Sequence, residues 1–183
     1  MSLYLAFKFI VLQWVTRLSL KRVVRERSNV GLSKAATIGV LYSYQTAAKH
    51  DMVQRFVRDL KNLDKKVSVL CYITEQERMH PSSGSLRYTF GHEAFTVFGK
   101  VSNELVRTFI KMPFDYLFHV DMDANALLDY IVANNQAKCR VGHFDSSRKH
   151  LFEVMVKVKQ TNPIDNIKRL ASQMLHYTGC MEN

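Results

Sequence analysis

One stretch, residues 114–141, constrains the fold more than any other part of the chain. It begins with an apolar run around Phe118 that suits a buried strand. A polar turn follows, in which Asp123 or Asn125 can cap a helix. Apolar residues then recur on one helical face over 127–132, and the chain returns as a short apolar run. This order of strand, helix and strand predicts a βαβ unit and therefore an α/β fold.

The same alternation continues through the rest of the body, which indicates a single domain. Glycine and proline are scarce, at 7 and 3 residues, which argues against a loop-rich all-β protein. The patterns predict strands at 37–42, 67–73, 95–98, 117–120, 137–141 and 151–158, and helices at 3–27, 47–63, 103–112, after Asp123 or Asn125, and 163–177. We therefore expect a Rossmann-like three-layer α/β domain over 35–183, with a mostly parallel sheet, preceded by a long basic helix and connection over 1–34. The patterns do not specify the strand order.

Positive charge is concentrated at the N-terminus. The chain carries a formal net charge of +10, and residues 1–34 hold seven Lys or Arg against one acid, Glu26. Such a segment suits RNA or another anionic partner, although a solvated arm that only aids solubility is the alternative. With two cations of a polar loop at 142–150, the predicted anion-binding residues are Lys8, Arg17, Lys21, Arg22, Arg25, Arg27, Lys34, Arg148 and Lys149.

The N-terminal helix is rich in apolar residues, and three roles remain open for it. It can pack on the domain, lie in a membrane interface with its basic half on anionic headgroups, or join a partner protein. Lys8 and Arg17 interrupt the apolar pattern, which argues against a membrane span, and no secretory signal pattern precedes it. The spacing of Cys71, Cys139 and Cys180 suggests reduced thiols. We expect a cytoplasmic protein, with peripheral attachment to the inner face of the membrane as the alternative.

Three segments carry a resemblance to known families. The sequences at 98–101, 113–117 and 137–142 resemble a family of short bacterial α/β proteins, a domain of unknown function, which implies no catalytic residues. Asp115 and the Ala-Lys-Cys-Arg-Val-Gly return at 137–142 are also distantly similar to the N-terminal Rossmann-like half of heptosyltransferase-type glycosyltransferases. That likeness implies the fold. Because the chain has no room for the second domain that holds the sugar nucleotide, it does not imply glycosyl transfer.

The end of the central strand holds the most suggestive polar cluster. His119, Asp121 and Asp123 follow an apolar run, at the edge where open α/β sheets bind ligands. An imidazole and two carboxylates can hold a cation or supply a general base, whereas Asp residues that cap a helix are the simpler explanation. After the first strand, Ser43 and Thr46 are candidates for helix caps or for an anion site.

The motifs of nucleotide-binding and metal-dependent enzymes are missing. The chain contains no G-x-G-x-x-G, no phosphate-binding G-x-x-x-x-G-K-[ST] and no H-E-x-x-H. We therefore predict a non-catalytic binding or adaptor protein without a cofactor or metal, whose first-choice partner is RNA or a ribonucleoprotein. The alternatives are a peripheral membrane protein held by the N-terminal helix, and an enzyme remnant related to glycosyltransferases that binds a nucleotide or sugar nucleotide.

Overall fold

The computed structural model describes residues 3–22, 31–79, 87–159 and 161–181. Helices and strands alternate through most of these residues, as the sequence predicts. The helices are α1 (Leu3–Arg22), α2 (Gly31–Lys34), α3 (Ala47–Asn62), α4 (Glu75–Arg78), α5 (Glu104–Lys111), α6 (Ala126–Asn134) and α7 (Pro163–Cys180). The strands are β1 (Thr37–Ser43), β2 (Lys66–Tyr72), β3 (Thr89–Phe90), β4 (Tyr116–His119), β5 (Cys139–His143) and β6 (Val154–Val156).

All six described strands form one parallel sheet in the order β3-β2-β1-β4-β5-β6. Strand β1 lies at the centre, where Ile38 is opposite Val67 of β2 and Tyr116 of β4. The chain winds outward from β1 in one direction and then, from β4, in the other. A topological switch point therefore lies between the carboxyl ends of β1 and β4, the place where doubly wound folds bind ligands.

Helices cover both faces of the sheet, which confirms the predicted three-layer Rossmann-like fold. On one face, α3 and α7 pack with residues such as Phe56 and Leu170 against inward side chains of the sheet, including Val40. On the other face, α1, α5 and α6 form a second apolar core against residues such as Leu117. Alternate residues of β4 enter opposite cores, as expected for a strand that is buried on both faces.

Several segments differ from the sequence prediction, which did not include the short helices α2 and α4. Residues 95–98, predicted as a strand, form only an isolated antiparallel bridge between Phe95 and Val101, because the chain turns at Gly99 with a φ of 75°. Strand β3 is two residues long, too short for an alternating pattern to be recognised. Residues 80–85, whose His-Pro-Ser-Ser-Gly-Ser sequence is typical of a loop, lie outside the described residues.

Helix α1 packs against α6 and extends the second core. Leu12 is fully buried there, and Thr16 is 5% exposed and donates from Oγ1 to the Leu12 carbonyl oxygen at 2.7 Å. Lys8 is 2% exposed, and its Nζ donates to the His92 carbonyl oxygen at 2.6 Å. Of the three roles that the sequence leaves open for this helix, packing on the domain is therefore the one that the structure displays.

Asp115 ties together the starts of three elements. Its Oδ2 accepts hydrogen bonds from the backbone nitrogens of Ala36 and Thr37 at 2.8 and 3.0 Å, and from Thr37 Oγ1 at 3.1 Å. Its Oδ1 accepts from Lys138 Nζ at 2.8 Å. Burial alone would raise the pKa of this carboxyl group, but the hydrogen bonds from Lys138, Thr37 and Ala36 lower it to about 2. The carboxylate therefore stabilises the junction between β1, β4 and β5.

We expect Asp115→Asn to lower the free energy of unfolding by about 2 kcal/mol at neutral pH, since it removes the charge that these donors stabilise. Folding lowers the pKa of the Asp115 carboxyl group from the usual 3.8 to about 2. The stabilisation by this carboxylate is therefore complete above pH 3.8 and is lost as the pH falls towards 2. Urea unfolding between neutral pH and pH ~3 would measure the difference and its narrowing. Glu104→Gln is the matched control, since that carboxylate is largely exposed. Equal losses in both variants would contradict the assignment.

Candidate functional site

The switch point between β1 and β4 is closed by hydrogen bonds between the two strand ends. Asp121, two residues beyond β4, is 1% exposed. Its Oδ2 accepts a hydrogen bond from the backbone nitrogen of Ser43 at 2.7 Å, and its Oδ1 accepts one from Ser43 Oγ at 2.8 Å. These bonds hold the carboxyl ends of the central strands together at the position where related folds keep a ligand.

Lys49, in the first turn of α3, completes this network. The residue is 3% exposed, and its Nζ donates to Ser43 Oγ at 3.1 Å and to Gln45 Oε1 at 3.2 Å. It also forms a buried ion pair with Asp121 Oδ1. Burial raises the pKa of Asp121, whereas the Lys49 ammonium and the Ser43 donors favour its charged form. The network is internally satisfied, so its residues stabilise one another.

Sequence reasoning did not find Lys49, because it treated this residue as part of the polar face of α3. The available signal was its position in the first turn of the helix that follows β1, because that turn lies at the carboxyl edge of the sheet. Of the two residues considered there, Thr46 caps α3 by accepting from the Lys49 backbone nitrogen at 3.2 Å. Ser43 belongs to the Asp121 network and is not the cap.

The structure does not bring His119, Asp121 and Asp123 together as one ligand site. Successive side chains of a strand alternate between its two faces, so His119 and Asp121 would share a face if β4 continued to Asp121. Strand β4 ends at His119, so this relation does not hold. His119 lies beside Phe152, with ring centroids 5.7 Å apart, while Asp121 binds Ser43 and Asp123 is exposed. Across the described ranges, no group of three or more His, Cys, Asp or Glu side chains is placed to hold a metal ion.

His119 is fully buried, and neither of its ring nitrogens has a hydrogen-bond partner among the described residues. Burial lowers its pKa well below the usual value, and the nearby Arg148 and Lys49 lower it further. The imidazole is therefore neutral, with one donor and one acceptor nitrogen. Arg148, 3% exposed, lies over the same Phe152 ring at 5.3 Å and donates from Nη2 to Asp129 Oδ1 at 2.6 Å.

These positions correct part of the predicted anion-binding surface. Lys8 is buried on the inner face of α1, where it bonds the His92 carbonyl oxygen, so it does not present its charge on the surface. Arg148 is also buried and pairs with Asp129, but it lines a pocket between α1 and α6. The side chains of Arg17, Lys34 and Lys149 are exposed. Arg25 and Arg27 lie outside the described residues, as do the side chains of Lys21 and Arg22.

The outer face of α1 carries an apolar stripe that the sequence reasoning did not separate from the inner face. Phe7, Ile10, Trp14 and Leu18 are 55%, 55%, 68% and 49% exposed. Their spacing of three, four and four residues places them on one side of the helix, roughly opposite Leu12. Apolar residues on both sides of α1 were the available signal. None of the described helices has the length and apolar character needed to cross a bilayer.

Comparison with known proteins places the chain by family. No curated protein matches it. Among solved structures, it is similar to Escherichia coli heptosyltransferase WaaC with ADP, at 7% identity and a TM-score of 0.49. That match covers 75% of this chain and 46% of the enzyme, so the chain spans about half of the enzyme's length. Residues 8–179 match the family DUF6913, which confirms the resemblance to a family of unknown function. The chain therefore belongs to DUF6913, a family of unknown function.

Proposed function

We propose that this protein is a non-catalytic binding protein that attaches to anionic membrane surfaces through the outer face of α1. The observation that carries the proposal is the exposed stripe of Phe7, Ile10, Trp14 and Leu18. A contiguous patch of large, exposed apolar side chains on a protein surface is characteristic of an interaction site.

The packing of α1 supports this orientation. Its inner face is held by α6 through residues such as Leu12, so the outer stripe points away from the domain along the length of the helix. A helix held in this way meets a bilayer side-on, with its apolar residues at the level of the headgroups and upper acyl chains. Trp14 has the amphipathic ring that favours this interface.

Charge favours an anionic bilayer over a second copy of the chain. Arg17 is exposed beside the stripe, and the sequence places Lys21 and Arg22 in the last turns of the same helix. Cations next to an apolar stripe bind anionic headgroups. Two copies facing each other through α1 would bring together chains that each carry a net charge of +10, which opposes self-association.

The proposal predicts that Trp14→Ser weakens binding to anionic vesicles by about tenfold, because it removes the largest exposed apolar side chain of the stripe. Co-sedimentation of the full chain with phosphatidylcholine vesicles, with and without phosphatidylglycerol, would measure this. Tyr177→Ser is the matched control: Tyr177 is a 47% exposed aromatic on α7, on the opposite side of the sheet. The control should pellet like the wild type, and added salt should weaken binding of both.

Equal pelleting of the Trp14 and Tyr177 variants would contradict docking through α1. Failure to pellet with either vesicle, together with RNA binding whose logarithm falls linearly with the logarithm of salt concentration, would replace the membrane by RNA as the anionic partner.

A further inference from the structure

A second surface feature lies beside α1 and is independent of its apolar stripe. A pocket of about 260 Å³ opens between α1, the start of α6 and the loop that follows β5. Its wall includes Thr16 and Arg17 of α1, Asp129 of α6, and Arg148 and His150 of the loop. The pocket lies at the carboxyl edge of the sheet, near the ends of β4 and β5.

Arg148 lines this pocket with buried hydrogen-bond donors that have no acceptor among the described residues. Its guanidinium group is almost completely buried, yet Nε and Nη1 have no hydrogen-bond partner among the described residues. Only Nη2 is accounted for, through Asp129. Because guanidinium nitrogens only donate, what they lack is an acceptor. A buried donor without an acceptor costs free energy, which a bound group with acceptor oxygens would recover.

Other buried polar atoms without partners gather around Arg148. Of the six such side-chain atoms in the described residues, five belong to Arg148, His119 and His143. His119 and His143 are the last residues of the neighbouring strands β4 and β5. The His119 ring and the Arg148 guanidinium group both lie beside the Phe152 ring, 5.7 and 5.3 Å from its centroid, and His143 ends the strand that pairs with the strand of His119. Unsatisfied polar atoms are therefore concentrated at one part of the carboxyl edge of the sheet.

The charges on the pocket wall favour an anion. The pocket wall carries two guanidinium groups, Arg17 and Arg148, and one carboxylate, Asp129, which pairs with Arg148. Burial lowers the pKa of His150, and the nearby charges of Arg17, Arg140 and Arg148 lower it further. A group that carries negative charge and several acceptor oxygens would be stabilised here.

We infer that this pocket binds the phosphate group of a small phosphorylated molecule or of a lipid headgroup. Arginine binds phosphate through charge-assisted hydrogen bonds, and Arg17 and Arg148 approach the pocket from two different elements. The volume admits a phosphate group with a small substituent, since whole drug-sized ligands occupy larger pockets. Arg17 borders both features, but the inference concerns the pocket between α1, α6 and the loop after β5 and does not require the exposed apolar stripe.

Isothermal titration of the full chain with inorganic phosphate tests this inference. We expect Arg17→Gln to weaken phosphate binding by about tenfold, which corresponds to one charge-assisted contact. Lys149→Gln, which removes another exposed cation next to the pocket residues but not part of the pocket wall, should bind like the wild type. Arg17 is the better position to replace than Arg148, whose loss would leave Asp129 without its ion pair. Thermal unfolding of both variants verifies that they fold.

Glycerol 3-phosphate and glycerophosphoglycerol, titrated in the same way, separate the two sources of the phosphate. Tighter binding of the monoester assigns the pocket to a free phosphorylated compound, and tighter binding of the diester assigns it to a lipid headgroup. No binding of any of the three compounds, or equal affinity in the Arg17 and Lys149 variants, overturns the inference. Since no vesicles are present, such a failure leaves the proposed membrane attachment unaffected.

Discussion

Replacing Lys49 by methionine is expected to lower the free energy of unfolding by about 3–5 kcal/mol, because it leaves the Asp121 carboxylate buried without its cation. Methionine preserves most of the length of the side chain, so loss of the charge dominates over loss of packing. Asp121 would keep only the two donors of Ser43 in a site that is nearly closed to water. Urea unfolding at neutral pH measures the change as a shift in the midpoint.

Two further variants make this prediction specific to the buried pair. Lys61→Met removes a cation from an exposed position of the same helix and should change stability by no more than about 0.5 kcal/mol. Adding Asp121→Asn to Lys49→Met should restore most of the loss, because asparagine retains an acceptor for Ser43 without the uncompensated charge. A Lys49→Met protein as stable as the Lys61 variant would show that the ion pair does not hold the two strand ends together.

The network explains how a Rossmann-like fold can lack the glycine-rich phosphate loop. In nucleotide-binding relatives of this architecture, the loop after the first strand leaves room for a pyrophosphate at the helix N-terminus. Here Ser43, Lys49 and Asp121 occupy the switch point and satisfy one another. This arrangement favours the non-catalytic proposal. The pocket proposed to bind phosphate lies further along the carboxyl edge, near the ends of β4 and β5.

The central βαβ unit was readable from the sequence because its signals are local. The apolar run of β4, a cap at Asp123 or Asn125 and the helical stripe of α6 each depend on neighbouring residues. Of the two candidate caps, Asn125 is the one that accepts from the Leu127 backbone nitrogen, at 3.0 Å. Pro163 begins α7, as predicted. Strand order is not local, since it depends on which way each crossover turns. The pattern of a strand gives no information on its neighbours.

The sequence alone identifies the residues that carry the family resemblance, but it does not predict which contacts they make. Asp115 and Lys138 bind each other at the amino ends of β4 and β5, far from the carboxyl edge of the sheet. Arg140 is 1% exposed and forms an ion pair with Glu153 at 2.6 Å. These motif residues bind other parts of the chain, so the resemblance predicts the fold and says little about a ligand.

The inner face of α1 could not be identified from its sequence. Apolar residues surround this helix, so no stripe marks the side that packs on the domain. Lys8 lies on the inner side because its long side chain reaches the His92 carbonyl oxygen, while Trp14 is left outside. Charge and hydrophobicity, taken alone, suggest the reverse assignment for both residues.

If α1 is an integral part of the domain, Leu12→Ala should lower the free energy of unfolding by about 3–5 kcal/mol, the range for deletion of a fully buried leucine. Trp14→Ser, two residues away on the 68% exposed side, should change stability by no more than about 0.5 kcal/mol. Urea unfolding of both variants measures this contrast. Loss of less than about 1 kcal/mol in Leu12→Ala would mean that α1 is a separable arm. A large loss in Trp14→Ser would mean that its face is covered, and would remove the surface on which membrane attachment depends.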